Sequence, residues 1–523
     1  MNDKFQQFRK TYPTFIFDSF KITKSNDNSE SLKITYHFVI PGLTEFHPTL
    51  EIPLKDICRD YDENFLETIA FNLGMVEAIS YYKATCSPNF LIKAGYLTPE
   101  QLSFSQKLYF YGLGEFLYVN NIETSEADLV HFTVEHEPTK TIIPEIRPSG
   151  NLITVGGGKD SCVSLELLRN FRDIPGAEAA FQDASANPKV ASSAQPTETP
   201  ANTCFALNPK QANLACIEAS GYPAIYAKRT IDPELLRLNR EGFLNGHTPF
   251  SAMLAFTTYL VAYLTNKKYI VMSNEGSANE ATVHGTKINH QYSKTYEFEN
   301  DFNNYVNKYL SPEIHYFSLL RPLTEFQIGM IFALDENLKK YHKIFKSCNV
   351  GSKDSTWNWC GECPKCLFVY IILSAFLDTD ELIDIFGRDL YENQNLLPTF
   401  IELLGYADRK PFECVGTYEE CRLAVSLAIQ KTEGNTRQPE TAKNPLPYLL
   451  QYYKDHYPLT FTLSCGCAEN TPNVENTASD LAGSEIITAY NSENNLPPAF
   501  AQIIKQALAK YKSIDIPTKG DLK

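Results

Sequence analysis

Residues 153–161 read Ile-Thr-Val-Gly-Gly-Gly-Lys-Asp-Ser. A short β-branched run leads into three glycines, and apolar residues at helical spacing follow at Val163, Leu167, Leu168 and Phe171. A strand, a glycine turn and a helix start together present backbone N–H groups to a phosphate. Glycine suits the turn because a side chain would keep the phosphate oxygens away from the backbone. The stretch therefore predicts a nucleotide-binding site, against the alternative of a glycine turn without a ligand.

Two common phosphate-binding loops do not fit this stretch. A Walker A loop needs glycine where Ile153 stands and Ser or Thr where Asp160 stands. A Rossmann fingerprint needs glycine or alanine at Ser161, so it is matched only in part. The stretch instead resembles the Ser-Gly-Gly-X-Asp-Ser loop of the ATP-pyrophosphatase (PP-loop) superfamily, with Gly156 in place of the first serine. That resemblance implies a loop that holds the β- and γ-phosphates of ATP, with release of pyrophosphate and formation of an adenylate.

The composition is that of an acidic globular chain. Its 523 residues suffice for two or three domains, and 43% of them are hydrophobic. The net charge of −15 disfavours a broad surface for nucleic acid, and the 13 cysteines indicate thiols or metal ligands in a reducing cytoplasm. Residues 1–10 lack the pattern of a signal or transit peptide, and no apolar run reaches the ~18 residues of a membrane span. We therefore expect a cytoplasmic protein with no nucleic-acid or membrane partner. The apolar run at 250–264 is predicted to be a buried core helix. The sequence does not indicate the oligomeric state.

The remaining periodicities predict an α/β fold. Alternating apolar residues mark a strand over 32–40 and a second at 49–54, and a helical, aromatic pattern follows over 65–118. From about residue 148 strand and helix patterns alternate, as a parallel sheet requires. The five strand candidates are Leu152–Val155, Thr203–Leu207, Ala224–Ala227, Tyr269–Ser273 and Ile314–Leu319.

These patterns divide the chain into three predicted regions. Residues 1–147 are predicted to form an N-terminal α+β domain. Residues 148–378 form a parallel-sheet PP-loop domain resembling the adenine nucleotide alpha-hydrolases, and residues 379–523 form a mostly helical C-terminal region. Two polar stretches, 176–202 and 465–485, are predicted to be a disordered surface insertion and a loop or linker.

Four cysteines have the spacing of a metal site. Cys360, Cys363 and Cys366 can turn their thiolates toward one point, and Cys348 can complete a tetrahedron. Four thiolates suit structural zinc, an iron–sulfur cluster is the chemical alternative, and unligated cysteines are a third. A similar cysteine knot in the deazaguanine nitrile synthases of the PP-loop superfamily carries zinc, so we predict zinc. Because four sulfurs leave no open coordination position, this metal should brace the fold and not act on substrate.

A polar run at 273–299 follows the fourth strand candidate, where ligands collect at the carboxyl ends of an open sheet. A solvated loop is the alternative to a binding site. His290 can act as an acid or base near neutral pH. Lysines in the run can hold carboxylate or phosphate, and glutamates can hold Mg²⁺; these are Lys287, Lys294, Glu275 and Glu280. After the fifth strand candidate, Arg321 is expected to point at the nucleotide.

Several further stretches resemble one family. They are Ser-Asn-Glu-x-Ser-Ala-Asn-Glu at 273–280, Ile-Asn-His-Gln-Tyr-Ser-Lys at 288–294, Trp-Cys-x-x-Cys-Pro-Lys-Cys at 359–366 and Lys-Pro-Phe-Glu-Cys-Val-Gly-Thr at 410–417. With the glycine loop, and in this order, they are similar to the UDP-N-acetyl-α-muramoyl-L-alanyl-L-glutamate epimerases (MurL) over about residues 15–460. Family members convert the terminal L-Glu of the UDP-muramoyl dipeptide to D-Glu for peptidoglycan, with ATP and Mg²⁺.

The resemblance implies an acyl-adenylate and a role for each candidate residue. Adenylation turns the carboxylate into an acyl group that can take up charge when Cα loses its proton, and reprotonation from the opposite face inverts the centre. The phosphate and metal group is Gly156, Gly157, Gly158, Lys159, Asp160 and Ser161, with Lys159 as counter-charge and Asp160 at Mg²⁺. The candidates for substrate binding or proton transfer are His290, Lys294 and Glu297.

Three other functions fit part of the pattern. A PP-loop ligase or amidase similar to 7-cyano-7-deazaguanine synthase would share the loop and the cysteines, but does not need so large an aromatic N-terminal region. Transfer-RNA thiolation needs a basic surface, which the net charge of −15 disfavours. A nucleotide sensor without turnover is disfavoured by the intact Lys-Asp-Ser at 159–161.

Overall fold

A computed structural model of the protein describes residues 3–25, 30–57, 61–138, 142–169, 202–279, 289, 292–348, 350, 358–407, 410–411, 413–434, 445–458 and 485–512. The polar stretches predicted at 176–202 and 465–485 lie outside these residues, except for their last residues, Asn202 and Glu485. The described residues form an eleven-stranded sheet with helices packed on both faces.

The bounds of the elements are as follows. The strands are β1 (Thr14–Ser25), β2 (Ser31–Ile40), β3 (Thr44–Phe46), β4 (Thr49–Pro53), β5 (Asn89–Ile92), β6 (His131–Val134), β7 (Asn151–Thr154), β8 (Asn202–Leu207), β9 (Ala224–Thr230), β10 (Tyr269–Met272) and β11 (His315–Ser318). The α-helices span Asp3–Thr11, Glu63–Glu77, Ile79–Tyr82, Pro99–Gly112, Gly114–Val119, Glu126–Leu129, Lys159–Leu167, Gln211–Ser220, Pro233–Arg240, Phe250–Leu264, Tyr296–Tyr309, Glu325–Leu334, Pro364–Ser374, Thr379–Phe386, Leu397–Leu403, Tyr418–Gly434, Tyr448–His456 and Pro498–Lys512.

Five parallel strands form one half of the sheet, in the order β11-β10-β7-β8-β9. All five strand predictions are confirmed, and the largest difference is at β9, which continues to Thr230. From β7 the chain moves outward through β8 and β9, then returns to place β10 on the other side of β7. The strand order therefore reverses between β7 and β10, which leaves a crevice at their carboxyl ends.

The N-terminal strands continue the same sheet. Strand β4 pairs antiparallel with β9, where Leu50 lies opposite Arg229, and β2, β1, β5 and β6 follow outward. The alternation predicted over 32–40 is confirmed in β2, where every second residue is buried. The second predicted strand is confirmed as β4. The described strands of the predicted N-terminal domain thus belong to the same sheet as the glycine-loop region.

The sheet separates two hydrophobic cores. Successive residues of a strand point to opposite faces, so Leu152 and Ile153 of β7 belong to different cores. The core on the side of Leu152 includes the aromatic N-terminal helices and Phe250–Leu264, which packs against Glu63–Glu77. The predicted core helix at 250–264 is therefore confirmed. In the part of the chain that the structure describes, no helix has the length and apolar character to cross a membrane.

The core on the side of Ile153 is built mainly by helices late in the chain. Lys159–Leu167 packs against Glu325–Leu334, and Pro364–Ser374 packs against Tyr418–Gly434. Beyond residue 378 the described residues form helices joined by loops. Residues distant in sequence from the glycine loop thus form the layer beneath it.

One buried ion pair connects the N-terminal helices to the parallel strands. Arg229 in β9 donates two hydrogen bonds to Glu77 at the end of Glu63–Glu77, at 2.7 and 2.8 Å. The side chains of Arg229 and Glu77 are only 11% and 5% exposed. Because both charges are removed from water, each depends on the other for compensation.

We predict that Glu77→Leu lowers the free energy of unfolding by about 3–5 kcal/mol, because it leaves the guanidinium of Arg229 buried without a counter-charge. The double variant Glu77→Leu/Arg229→Met should cost less than this single variant. Urea denaturation measures both. Glu63→Gln is the control, since its pair with Lys24 is 77% and 51% exposed and should contribute less than about 1 kcal/mol. A double variant that loses as much free energy of unfolding as Glu77→Leu, or more, would contradict the coupling.

Candidate functional site

A cleft of about 460 Å³ lies at the carboxyl ends of β7, β8 and β10, where the strand order reverses. One part of its wall is apolar and is formed by Phe205, Leu207, Phe250, Leu254 and Met272. The polar part includes Gly156, Gly158, Asp160, Ser161, Glu275, Lys294, Lys346, Ser347, Lys365 and Cys414. The cleft thus joins a surface suited to an aromatic base with one suited to anions and a cation.

The glycine loop is held from both sides. Gly157 has a φ of +79°, and a Cβ there would lie 2.9 Å from the backbone of Ala212 and Asn213. On the other side, the Lys346 backbone N–H donates to the Gly157 carbonyl at 2.7 Å. Glycine is therefore required at 157 by both the left-handed backbone and the close approach of the helix Gln211–Ser220.

The open side of the loop faces the cleft. A Cβ at Gly156 would meet nothing within 4 Å. Gly158 is the N-cap of the helix Lys159–Leu167, and the Ser161 hydroxyl donates back to the Gly158 carbonyl at 2.9 Å. The first N–H groups of this helix have no intrahelical partner, so the loop and helix start can receive an anion.

Lys159 does not face the cleft, contrary to its predicted role as the counter-charge of pyrophosphate. Its side chain is only 1% exposed, and its ammonium contacts the carboxylates of Asp160 and Glu325. The physical reason is the burial of Glu325, whose side chain is also 1% exposed and needs a positive partner. Lys159 therefore balances the charge of the carboxylates of Asp160 and Glu325.

Three carboxylates converge beside the loop. Asp160, Glu275 and Glu325 each offer an oxygen, and these atoms lie within 4.8 Å of one another. Burial and the negative charges of Asp160 and Glu275 raise the pKa of Glu325, whereas the ammonium of Lys159 lowers it. Oxygen Oε1 of Glu325 is buried and has no hydrogen-bond partner among the described residues. Hard oxygen donors with an unused buried acceptor fit a cation such as Mg²⁺.

Four lysines line the cleft and supply positive charge to it, namely Lys210, Lys294, Lys346 and Lys365. Nζ of Lys294 lies 2.8 Å from Sγ of Cys414. Burial lowers the pKa of Lys294, but the sulfur of Cys414 and the carboxylate of Glu275 act in the opposite direction and raise it overall. Lys294 is therefore charged at neutral pH.

Arg321 does not point at the nucleotide site, contrary to expectation. Its side chain is fully buried and donates to the backbone carbonyls of Glu275 and Lys294 at 2.8 and 2.5 Å. It also pairs with the buried carboxylate of Glu299 at 3.2 Å. A guanidinium has five donors in a rigid fork, so one side chain can fix two loops at once. Arg321 positions the two segments that carry Glu275 and Lys294.

The predicted substrate residues are not all brought together. Lys294 lines the cleft, whereas Glu297 is 61% exposed and pairs with Lys107 at 2.6 Å, outside the cleft lining. His290 lies outside the described residues, as do the metal and substrate candidates Glu280 and Lys287. Of the predicted phosphate group, Gly156, Gly158, Asp160 and Ser161 line the cleft.

The four predicted metal-ligand cysteines are brought together. The sulfur separations are 3.4 Å for Cys348–Cys360, 3.7 Å for Cys348–Cys363, and 3.5 Å from Cys366 to each of Cys360 and Cys363. A tetrahedron with Zn–S bonds of about 2.3 Å has edges of about 3.8 Å. An iron–sulfur cluster, whose ligands sit on different iron atoms, needs wider spacing. The geometry fits a single tetrahedral ion.

This cysteine cluster adjoins the glycine loop. Cys348 lines the cleft, and the two residues before it touch the loop, through the Lys346 backbone N–H and the side chain of Ser347. Lys365, between two cluster cysteines, reaches the backbone carbonyl of Cys414. An ion bound by the cysteines would therefore fix three segments of the cleft wall.

Sequence reasoning missed four residues of the site, namely Glu325 of the carboxylate cluster and the cleft-lining residues Lys346, Lys365 and Cys414. Lys365 and Cys414 stand inside the Trp-Cys-x-x-Cys-Pro-Lys-Cys and Lys-Pro-Phe-Glu-Cys-Val-Gly-Thr stretches, so a signal was present. Their spacing carries no chemical pattern of its own. Lys346 and Glu325 have no local signal, because only the fold brings them to the loop.

Comparison with known families identifies the chain. The MurL N-terminal domain matches residues 6–175 and 190–319, and the MurL C-terminal domain matches residues 344–441. The chain belongs to the MurL family. The MurL N-terminal match contains the glycine loop and Glu275, and the MurL C-terminal match contains the cysteine cluster and Cys414.

Three relatives in this family carry the name UDP-N-acetyl-alpha-D-muramoyl-L-alanyl-L-glutamate epimerase. That of Xanthomonas oryzae pv. oryzae is 33% identical over 367 residues, which are 69% of this chain and 74% of the relative. The Micromonospora protein is 34% identical over 372 residues (69% and 74%). The Salinispora tropica protein is 35% identical over 368 residues (68% and 72%). No solved structure matches the chain.

We predict that Gly157→Ala lowers the free energy of unfolding by about 1–3 kcal/mol, because a side chain there meets both a left-handed backbone and the next helix. Gly156→Ala is the matched control and should change it by less than about 0.5 kcal/mol, since its Cβ meets open space. Denaturant unfolding measures both. Equal costs for the two variants would contradict the close approach seen at Gly157.

We expect one zinc ion per chain at the cysteine cluster, measured by elemental analysis of the purified protein. Cys363→Ala should lose the ion and lower the free energy of unfolding, because four thiolates are needed to complete the tetrahedron. Cys204→Ser, which changes a buried thiol in β8, should keep the ion. Iron in place of zinc, or unchanged metal content in Cys363→Ala, would contradict the assignment.

Proposed function

We propose that the protein is an ATP-dependent epimerase that converts the terminal L-Glu of UDP-N-acetylmuramoyl-L-Ala-L-Glu to D-Glu through an acyl-adenylate, in peptidoglycan precursor biosynthesis. The observation that carries the proposal is the meeting of a glycine loop, a cluster of three carboxylates and four lysines at one cleft. Support comes from the relatives, which are named for epimerisation of this dipeptide.

The chemistry explains why an epimerase would bind ATP. Removing the Cα proton beside an ionised carboxylate would place two negative charges on adjacent atoms. Once the carboxylate is adenylated, the acyl carbonyl can accept the charge as an enolate. A proton delivered to the opposite face inverts the centre, and hydrolysis returns the acid with AMP. The protein must therefore bind a triphosphate and a carboxylate side by side.

The glycine loop and the lysines are suited to bind the triphosphate. Backbone N–H groups at Gly158 and at the start of Lys159–Leu167 would bind phosphate oxygens, as in PP-loop enzymes. Lys346 and Lys365 would balance the charge that develops on pyrophosphate as it leaves. The apolar wall that contains Phe250 would pack against the adenine.

Asp160, Glu275 and Glu325 would hold Mg²⁺, which supplies charge neutralisation for the triphosphate. Lys159 balances the negative charge of this group and keeps two of its members, Asp160 and Glu325, together. Arg321 fixes the segment of Glu275 through its backbone carbonyl. Zinc at the four cysteines would have no open position for substrate and would brace the loop.

The chemistry of the substrates also indicates the cellular compartment of the proposed reaction. ATP and a UDP-linked dipeptide are soluble, highly charged compounds of the cytoplasm, so the proposal assigns the protein to that compartment. The cleft offers cations for the substrate's carboxylates and diphosphate without a broad basic surface, in keeping with the net charge of −15.

The test is incubation with UDP-N-acetylmuramoyl-L-Ala-L-Glu, ATP and Mg²⁺ in D₂O, followed by chiral analysis of the released Glu. We expect D-Glu that carries deuterium at Cα, together with AMP and pyrophosphate. If ATP is cleaved while Glu stays L and undeuterated, the chain is an adenylating enzyme of another kind, such as a ligase similar to 7-cyano-7-deazaguanine synthase. Without any ATP cleavage the proposal fails.

We predict that Lys346→Met lowers the rate of pyrophosphate release by about 10²–10³-fold, because it removes a positive charge beside the phosphate loop. Lys343→Met is the matched control, since Lys343 is 73% exposed and pairs with Asp384 on the surface. It should release pyrophosphate at the wild-type rate. An unaffected rate in Lys346→Met would remove this residue from the phosphate site.

A further inference from the structure

We infer that Cys414, held by Lys294, is one of the two groups that transfer a proton at the substrate Cα. The inference rests on the proposed function and adds to it a residue for which the family resemblance implied no role. Cys414 and Lys294 both line the cleft, and their side chains meet at 2.8 Å between Nζ and Sγ.

The position of Cys414 suits a group that acts on the reacting carbon. It lies in the same cleft as the glycine loop, the carboxylates of Asp160 and Glu275, and the lysines. A carboxyl group activated at the loop would place its Cα within the remaining space, where a half-buried thiol is accessible. A second cleft cysteine, Cys348, belongs to the four-cysteine cluster. Among the described residues, Cys414 is thus the cleft thiol outside that cluster.

Buried cationic side chains hold both Cys414 and Lys294 in place. The Cys414 carbonyl accepts a hydrogen bond from Lys365, next to the cluster cysteine Cys366. The Lys294 carbonyl accepts one from the buried Arg321 at 2.5 Å. Two separate hydrogen bonds therefore fix the backbone positions of the thiol and of the ammonium beside it. This arrangement is expected when the geometry of a proton transfer matters.

Cysteine beside an ammonium is chemically suited to this step. The thiolate, not the thiol, accepts a proton, and the ammonium of Lys294 lies 2.8 Å from Sγ, where it can balance the negative charge. After accepting the proton the sulfur is neutral, so charge moves from sulfur to the enolate oxygen without a net change in the cleft.

The proposed proton transfer conserves atoms and electrons. The Sγ thiolate forms an S–H bond as the Cα–H bond breaks, and the electron pair of that bond moves into the acyl carbonyl to give the enolate. A second acid on the opposite face gives its proton to Cα, and the enolate pair forms the new C–H bond. No atom is oxidised or reduced. Exchange with water then returns both groups to their starting protonation.

The test compares wild type, Cys414→Ala and Cys414→Ser in D₂O, with the L and D epimers of the dipeptide offered separately. We expect both variants to lose epimerisation by about 10²–10⁴-fold while they still release pyrophosphate, which also reports that they fold. Deuterium exchange at Cα should survive from one epimer and be lost from the other, because only one face has lost its proton-transfer group. Cys204→Ser is the control and should match the wild type.

Two outcomes would overturn the inference alone. Epimerisation within about threefold of the wild type in Cys414→Ala would show that the thiol transfers no proton. Equal loss of exchange from both epimers, together with loss of pyrophosphate release, would indicate a structural role. Failure of the wild-type protein to epimerise would instead overturn the proposed function and this inference with it.

A second readout separates the positioning role of Lys294 from packing. Lys294→Arg keeps a positive charge beside the sulfur, whereas Lys294→Met keeps only the length of the side chain. We expect alkylation of Cys414 by iodoacetamide, followed by mass spectrometry, to be at least about tenfold slower in Lys294→Met and largely restored in Lys294→Arg. Equal alkylation rates in the two variants would show that Lys294 does not hold the thiolate.

Discussion

The ammonium of Lys159 and the carboxylate of Glu325 are both removed from water, and each is the counter-charge of the other. Neither could be buried alone, since an isolated charge costs several kcal/mol in the interior. Their pairing joins the helix that follows the glycine loop to the helix that follows β11. The pair therefore holds the phosphate loop beside Glu325, and Lys159 brings Asp160 and Glu325 together through contacts to both carboxylates.

Much of this fold could be predicted from the sequence, because its signals are local. Runs of β-branched residues marked the parallel strands, three glycines marked the loop, and the cysteine spacing marked the four-thiolate cluster. The direction of the Lys159 side chain could not be predicted in this way, because Glu325 lies far along the chain and only the packing of two helices brings them together. The same holds for Arg321, whose acceptors are backbone carbonyls that no sequence pattern reveals.

The site is assembled from both matched domains of the family. The loop and Glu275 come from the N-terminal match, whereas Lys346, Lys365 and Cys414 come from the C-terminal match. The cysteine cluster connects the two sets physically, because Lys346 contacts the loop and Lys365 contacts Cys414. A cluster that takes no part in the chemistry can in this way decide how well the reacting groups are aligned.

The antiparallel pairing of β4 with β9 has a consequence for synthesis of the chain. Thr49 pairs with Thr230, so the edge of β4 stays open until residues far downstream have left the ribosome. Until then its unpaired N–H and C=O groups are a template for association with another chain. Contacts of such sequence separation also slow folding, because a long loop must close before they form. The nascent N-terminal strands therefore depend on a segment beyond the glycine loop for their protection.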